Sequence, residues 1–198
     1  MRSAVLRVGQ IAGPVSHGEL GMWNTNEWFP SLIASSKYLQ MLPDSLDLVS
    51  QGINLIPVDY CARIVCELSE QAVTANHIRQ RKGLVNYYHV VNPHDASWPN
   101  LVGCIQEKFG SNLQIVPLAT WIEALDRSSM EGDSNRSVDR NPALRLLQWF
   151  KGLAHEQRSI RVASRLSTHM ATKLSQGMRD LRPVNEGWMD LWLRQWKF

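Results

Sequence analysis

Cysteine is scarce in this chain of 198 residues, which holds only Cys61, Cys66 and Cys104. Three thiols cannot build a disulfide framework, and no Cys-x-x-Cys pair offers a zinc knuckle. Cys61 and Cys66 stand five apart, so they do not share a helix face. Long apolar runs are absent too: none approaches the roughly 20 residues that a membrane-spanning helix needs. Arg2 is followed by strand-like sequence and not by the apolar core of a signal peptide. Net charge is slight, +3 from 21 Lys and Arg against 18 Asp and Glu. That excludes a nucleic-acid surface unless the cations form a stripe interleaved with aromatics. A reduced, cytoplasmic protein with no membrane, nucleic-acid or metal partner is expected, in which the sequon Asn135-Arg136-Ser137 carries no meaning.

Tryptophan is plentiful by contrast, with eight copies, of which Trp188, Trp192 and Trp196 fall within the last eleven residues. Their spacing of four puts them on one helix face, which reads as a core seam before it reads as a ligand platform. The last 48 residues are basic, nine Lys and Arg against four Asp and Glu, a balance typical of solvated helix faces.

Four segments read as short buried strands bounded by Gly, Pro, Asn or Asp: Ala4–Gly9, Asn54–Val58, Asn86–Val91 and Leu113–Val116. Helical patterns lie between them. Asp59 is placed to cap a helix over Tyr60–Leu68. Ser97 and Pro99 open one that Gly110 ends, and Thr120 is placed to cap Trp121–Leu125. Residues 126–142 are almost wholly polar and read as a linker. Beyond them Ala143–His155, Leu166–Leu181 and Glu186–Trp196 all carry helical periodicity. The pattern predicts an α/β fold with few, mainly parallel strands, divided into an α/β part over 1–125, the linker, and a helical part of the same domain over 143–198.

The first strand runs into "GQIAGP", and ligands of open parallel sheets sit beyond the carboxyl ends of their strands. Glycine at such a corner lets the main chain approach a flat ring closely, and proline fixes the exit direction. Gln10, Ile11 and Gly13 are therefore candidates for contact with a nicotinamide carboxamide, although glycine and proline also simply end strands.

The strings "LRVGQIAGP", "WNTNEWFPSLIASSKYLQMLP", "INLIPVDYCARIVCEL", "YYHVVNPHDASWPNL" and "LRPVNEGWMDLWLRQWKF" occur in this order from Leu6 to Phe198. Together they resemble the C-terminal half of the thioester reductase domains that terminate fungal non-ribosomal-peptide-synthetase-like and polyketide hybrid enzymes, members of the extended short-chain dehydrogenase/reductase group. The resemblance implies the C-terminal part of a Rossmann-like fold with a helical substrate-binding subdomain. It also implies NADPH-dependent release of an acyl or peptidyl thioester from a phosphopantetheinyl carrier protein, as aldehyde or alcohol. On that resemblance Gln10, Ile11, Gly13 and Pro14 would meet the cofactor, and Asn24, Trp28 and Phe29 would line the substrate and phosphopantetheine entrance. Asp59 is read as a cap and structural residue first, a ligand contact second.

The departures from that pattern concern catalysis. No G-x-G-x-x-G or G-x-x-G-x-x-G turn occurs, so nothing here would seat a pyrophosphate on a helix N-terminus. None of Tyr38, Tyr60, Tyr87 and Tyr88 has a lysine four residues on, so no Tyr-x-x-x-Lys pair is present to donate a proton to the developing oxyanion. No catalytic residue is assigned, and the chain is expected to be a reductase fragment without its dinucleotide-binding half. Two other classes compete. A hydrolase lacks the G-x-S-x-G elbow, and His17, His89 and His94 read as structural histidines before bases. A non-catalytic carrier-docking module would use the basic, Trp-rich tail. Alone, the chain is expected to bind NADPH weakly and to reduce no thioester. A micromolar affinity in a fluorescence titration, or aldehyde from a loaded carrier, would contradict this.

Overall fold

A computed structural model describes residues 3–16, 21–46, 53–78, 85–130, 139–156 and 166–197. The chain divides into two compact units interleaved along the sequence: unit 1 is Met1–Gly21, Asn54–Ala96 and Ser164–Val184, and unit 2 is Met22–Ile53, Ser97–Ala163 and Asn185–Phe198.

Unit 1 is built on two parallel strand pairs. β1 (Ser3–Val8) lies beside β5 (Val85–Val90), and β2 (Ile11–Ala12) lies beside β4 (Ile56–Pro57). Leu6 pairs with Tyr88, and Val8 with Val90. One face of the β1–β5 pair enters a core with Ile56, Cys61, Ile64, Leu68, Ala171, Met178 and Leu181. The other face leaves Val5, Val85 and Tyr87 exposed, with the Arg7 guanidinium 5.2 Å from the Tyr87 ring centre. Helix α2 (Val58–Ile78) supplies Cys61, Ile64 and Leu68 at helical spacing.

Two later helices of unit 1 complete that core, α6 (His169–Leu174) and α7 (Gln176–Asp180). The single helix expected over Leu166–Leu181 is broken at Ser175, which is buried in extended conformation. Its Oγ accepts from Met178 N at 3.0 Å and donates to Glu67 Oε2 at 2.6 Å. Competition by a serine side chain for the backbone is a known way to end one helix and start another.

Unit 2 holds all eight tryptophans. It comprises α1 (Trp28–Leu39), β3 (Met41–Pro43) parallel to β6 (Gln114–Val116), α3 (Trp98–Phe109), α4 (Leu118–Met130), a 3-10 turn over Pro142–Leu146, α5 (Leu147–Glu156) and α8 (Glu186–Trp196). Gly110 ends α3 as expected, at φ 95°, where only glycine is unstrained. Trp23 stacks on Phe29 and meets Trp192 edge-on, with centroids 5.4 and 4.9 Å apart. Trp192 and Trp196 are buried and Trp188 is half-buried, so the seam expected of α8 is there for two of its three rings. Buried polar groups of α1 find partners: Trp121 Nε1 donates to Ser36 Oγ at 3.1 Å, and Ala143 N donates to Ser35 Oγ at 2.9 Å.

Two strands were not legible as such, β2 and β3, and two caps fall differently. Helix α2 starts at Val58, which puts Asp59 in its first turn. Helix α4 starts at Leu118, so Thr120 lies inside it. Residues 131–138 of the expected linker, with its sequon, and His17 lie outside the described residues.

A Cβ built on Gly177 would stand 2.8 Å from the buried Cγ1 of Ile64. Gly177→Ala is therefore expected to cost about 1–3 kcal/mol through overpacking. A shift of the urea midpoint with unchanged slope would report it, and an unchanged midpoint would contradict the close packing of α7 on α2.

Candidate functional site

The corner after β1 is a change of strand partner. Gly9 N donates to Val90 O at 2.8 Å, the last rung of the β1–β5 ladder. One residue later Gln10 O accepts from Ile56 N at 2.9 Å, and the chain continues beside β4 as β2. A side chain at Gly9 would crowd Val91 Cγ2 at 3.2 Å, which accounts for a glycine at the changeover. Val8 and Ile11 are 41% and 40% exposed, and Val58, just beyond the end of β4, is 42% exposed. Apolar side chains thus lie open at the carboxyl ends of β1 and β4 and at the start of β2; open α/β sheets take ligands beyond the carboxyl ends of their strands.

Asp59 fixes the segment that follows. Its Oδ2 accepts from Val15 N at 3.1 Å and from Ser16 N at 2.6 Å, while Oδ1 accepts from Tyr60 N at 3.1 Å. Burial pushes the carboxyl up, but the Ser16 side chain and the N–H groups of Val15, Ser16 and Tyr60 outweigh it and hold it below the ordinary 3.8. The carboxylate also sits in the first turn of α2, where the helix dipole favours negative charge. Among the sequence-predicted residues, Gln10 and Ile11 are exposed at this corner, and Gly13 and Pro14 are buried. A second clamp in unit 1 was not foreseen. The buried Asn92 donates from Nδ2 to Leu55 O and Arg182 O, each at 2.9 Å, and accepts from His94 N at 3.0 Å.

Asn24, Trp28 and Phe29 belong to unit 2. Asn24 Oδ1 accepts from Asn26 N at 3.0 Å, an Asx turn leading into α1, and its side chain is exposed. Trp28 is half-buried between Phe29 and Trp149, with centroids 5.3 and 5.8 Å away. Phe29 is fully buried among Trp23, Trp28 and Trp98.

The other reactive side chains are quiet. Burial raises the Cys61 thiol; burial, then Asp190, Glu186 and Glu107, raise that of Cys104, so neither is poised as a thiolate. His89 Nδ1 lies 3.0 Å from Ser167 O. Among the described residues no group of three or more His, Cys, Asp or Glu could hold a metal ion, and no helix is long and apolar enough to cross a membrane.

No protein-family model matches the chain. It is 36% identical over 195 residues to a carboxylic acid reductase of Neurospora crassa, across 98% of this chain and 18% of that protein. It is 30% identical over 200 residues to a citrinin polyketide synthase of Monascus ruber, across 99% of this chain and 7% of that protein. A thiolation-reductase di-domain from an archaeal non-ribosomal peptide synthetase superposes with TM-score 0.58 at 14% identity, covering 97% of this chain and 35% of that one. The chain therefore spans about a fifth or less of the length of these curated relatives.

Because Asp59 is held below 3.8, its bonds contribute fully above that pH and are lost as pH falls through the lower folded value. Asp59→Asn is expected to cost about 1–2 kcal/mol, to remove that acid dependence, and to speed exchange of the Val15 and Ser16 amides. Unchanged exchange at those two amides would contradict the clamp.

Proposed function

From the homology of this chain to a fungal carboxylic acid reductase and a polyketide synthase, and from its likeness in fold to a thiolation-reductase di-domain, we propose that it is part of an NADPH-dependent thioester reductase. The observation that carries the reading is the extent of the homology, which runs through both units and includes the corner. When bound, NADPH would supply hydride to a carrier-bound thioester, whose C–S bond breaks to leave an aldehyde and a free thiol; a second reduction gives an alcohol.

The corner suits a nicotinamide. Ile11, with Val8 and Val58 at the neighbouring strand ends, offers apolar surface, and Gln10 offers a carboxamide. Gly13 and Pro14 keep the main chain narrow, and Asp59 holds the backbone that follows them by two amides. In this reading these residues orient the ring and exclude water, and none of them moves a proton. The Gly-rich turn and the Tyr-x-x-x-Lys pair are not among the 198 residues, so the pyrophosphate grip and the proton donor would come from other polypeptide of a larger reductase. The open apolar face of the β1–β5 pair supports this, since parallel strands are normally covered on both faces. Asn24 and Trp28, with Phe29 packed behind, are the proposed wall of the entrance for the acyl group and its phosphopantetheine arm.

A second reading, carrier docking without catalysis, draws on the basic tail. Titration of the chain with acyl-loaded and unloaded carrier protein at two salt concentrations separates the two. The reductase reading expects the loaded carrier to bind more tightly and Trp28→Ala to abolish that preference. Binding indifferent to loading and suppressed by salt would favour docking alone, and no binding of either form would overturn both.

A further inference from the structure

Unit 2 carries an open cavity of about 470 Å³ that lies outside the proposed entrance residues. It is lined by Lys37 and Tyr38 of α1, by Asn26 just before that helix, and by Asp139, Arg140 and Arg145. Among the described residues that line it, three cations thus stand with one carboxylate, a formal surplus of two positive charges. The Arg145 guanidinium is held from both sides, donating from one Nη to Asn26 Oδ1 and standing 3.5 Å from Asp139 Oδ1 through the other. Asp139 therefore faces a cation that is already fixed. The Lys37 ammonium lies 5.5 Å from the centre of the Phe109 ring, a contact that leaves its charge unneutralised. Arg140 lines the same cavity and is exposed. Tyr38, 48% exposed, adds an aromatic surface and a phenol hydroxyl.

Cations gathered around one concavity repel each other unless an anion joins them, and guanidinium forks match phosphate oxygens in geometry. The volume lies within the range of about 300–1,000 Å³ typical of small-molecule sites and is too large for a bare oxyanion. We propose that this cavity binds the phosphate ester of a small organic molecule, with Arg140 and Lys37 on the phosphate, Arg145 as a fixed second guanidinium, and Tyr38 against the organic part. The phosphate site is argued from its own charges, and only its assignment to a prosthetic arm rests on the reductase reading. Its ligand could be a free phosphate ester or the phosphate of a partner's prosthetic arm.

Calorimetric titration of the full 198-residue chain with phosphopantetheine, pantetheine, glycerol 3-phosphate and inorganic phosphate tests this. Phosphopantetheine is expected to bind at least about tenfold more tightly than pantetheine, and Arg140→Gln to remove about tenfold of that affinity. Arg140 and Lys37 are not core residues, so Arg140→Gln and Lys37→Gln should keep the parent melting temperature and isolate binding from folding. Equal binding of phosphopantetheine and glycerol 3-phosphate assigns a general phosphate-ester site, and preference for the former assigns a prosthetic arm. Equal binding of phosphopantetheine and pantetheine, no binding of any phosphate, or full affinity in both variants would overturn the proposal.

Discussion

The corner depends on one carboxylate. Asp59 lies at the start of α2 and holds the backbone amides of Val15 and Ser16, so the segment leaving β2 is pinned to the helix that follows β4. Two short strands of two residues each could not hold such a corner by their own ladder. The carboxylate does so by serving three N–H donors at once, in a place where the helix dipole favours its charge. The position of Gly13 and Pro14, and with it any surface they offer to a ligand, follows from that clamp.

Unit 1 repeats the device further along α2. Glu67 of α2 accepts from Ser175 Oγ and Gly177 N and pairs with Arg63, which also reaches Asp180 at 3.1 Å. Burial raises the Glu67 carboxyl, but the Ser175 and Gly177 bonds and Arg63 together hold it below its ordinary range. One helix thus anchors a strand corner through Asp59 and the α6–α7 break through Glu67, while its apolar stripe fills the core between. Unit 2 is held differently, by aromatic rings in contact and by the indole N–H groups of Trp23, Trp98 and Trp121, which donate to Glu27 Oε2, Pro43 O and Ser36 Oγ at 3.0, 3.0 and 3.1 Å.

Much of this was legible in the sequence where local chemistry decides. Gly110 ends a helix because it alone tolerates its φ, and α8 runs over the predicted Glu186–Trp196 because Asn185 caps it and the apolar spacing is regular. β2 and β3 escaped because they are too short to carry a pattern; their pairing is set by register with β4 and β6. Asp59 was visible as a helix-start residue, but its grip on Val15 and Ser16 is a contact across more than 40 positions. Ser175 gave no local warning either, since its partner Glu67 lies in another helix. The cations of the unit 2 cavity are ordinary surface residues in sequence, brought together only by the fold.

The central claim is that the corner serves nicotinamide chemistry in a larger reductase. The most direct test replaces the matching segment of a homologous carboxylic acid reductase with residues 3–197 of this chain and measures NADPH-dependent aldehyde release. A hybrid is predicted that turns over and loses activity when the exposed Gln10 is changed to alanine, with its melting temperature held. A folded hybrid that binds NADPH yet releases no aldehyde, or one indifferent to Gln10→Ala, would contradict this.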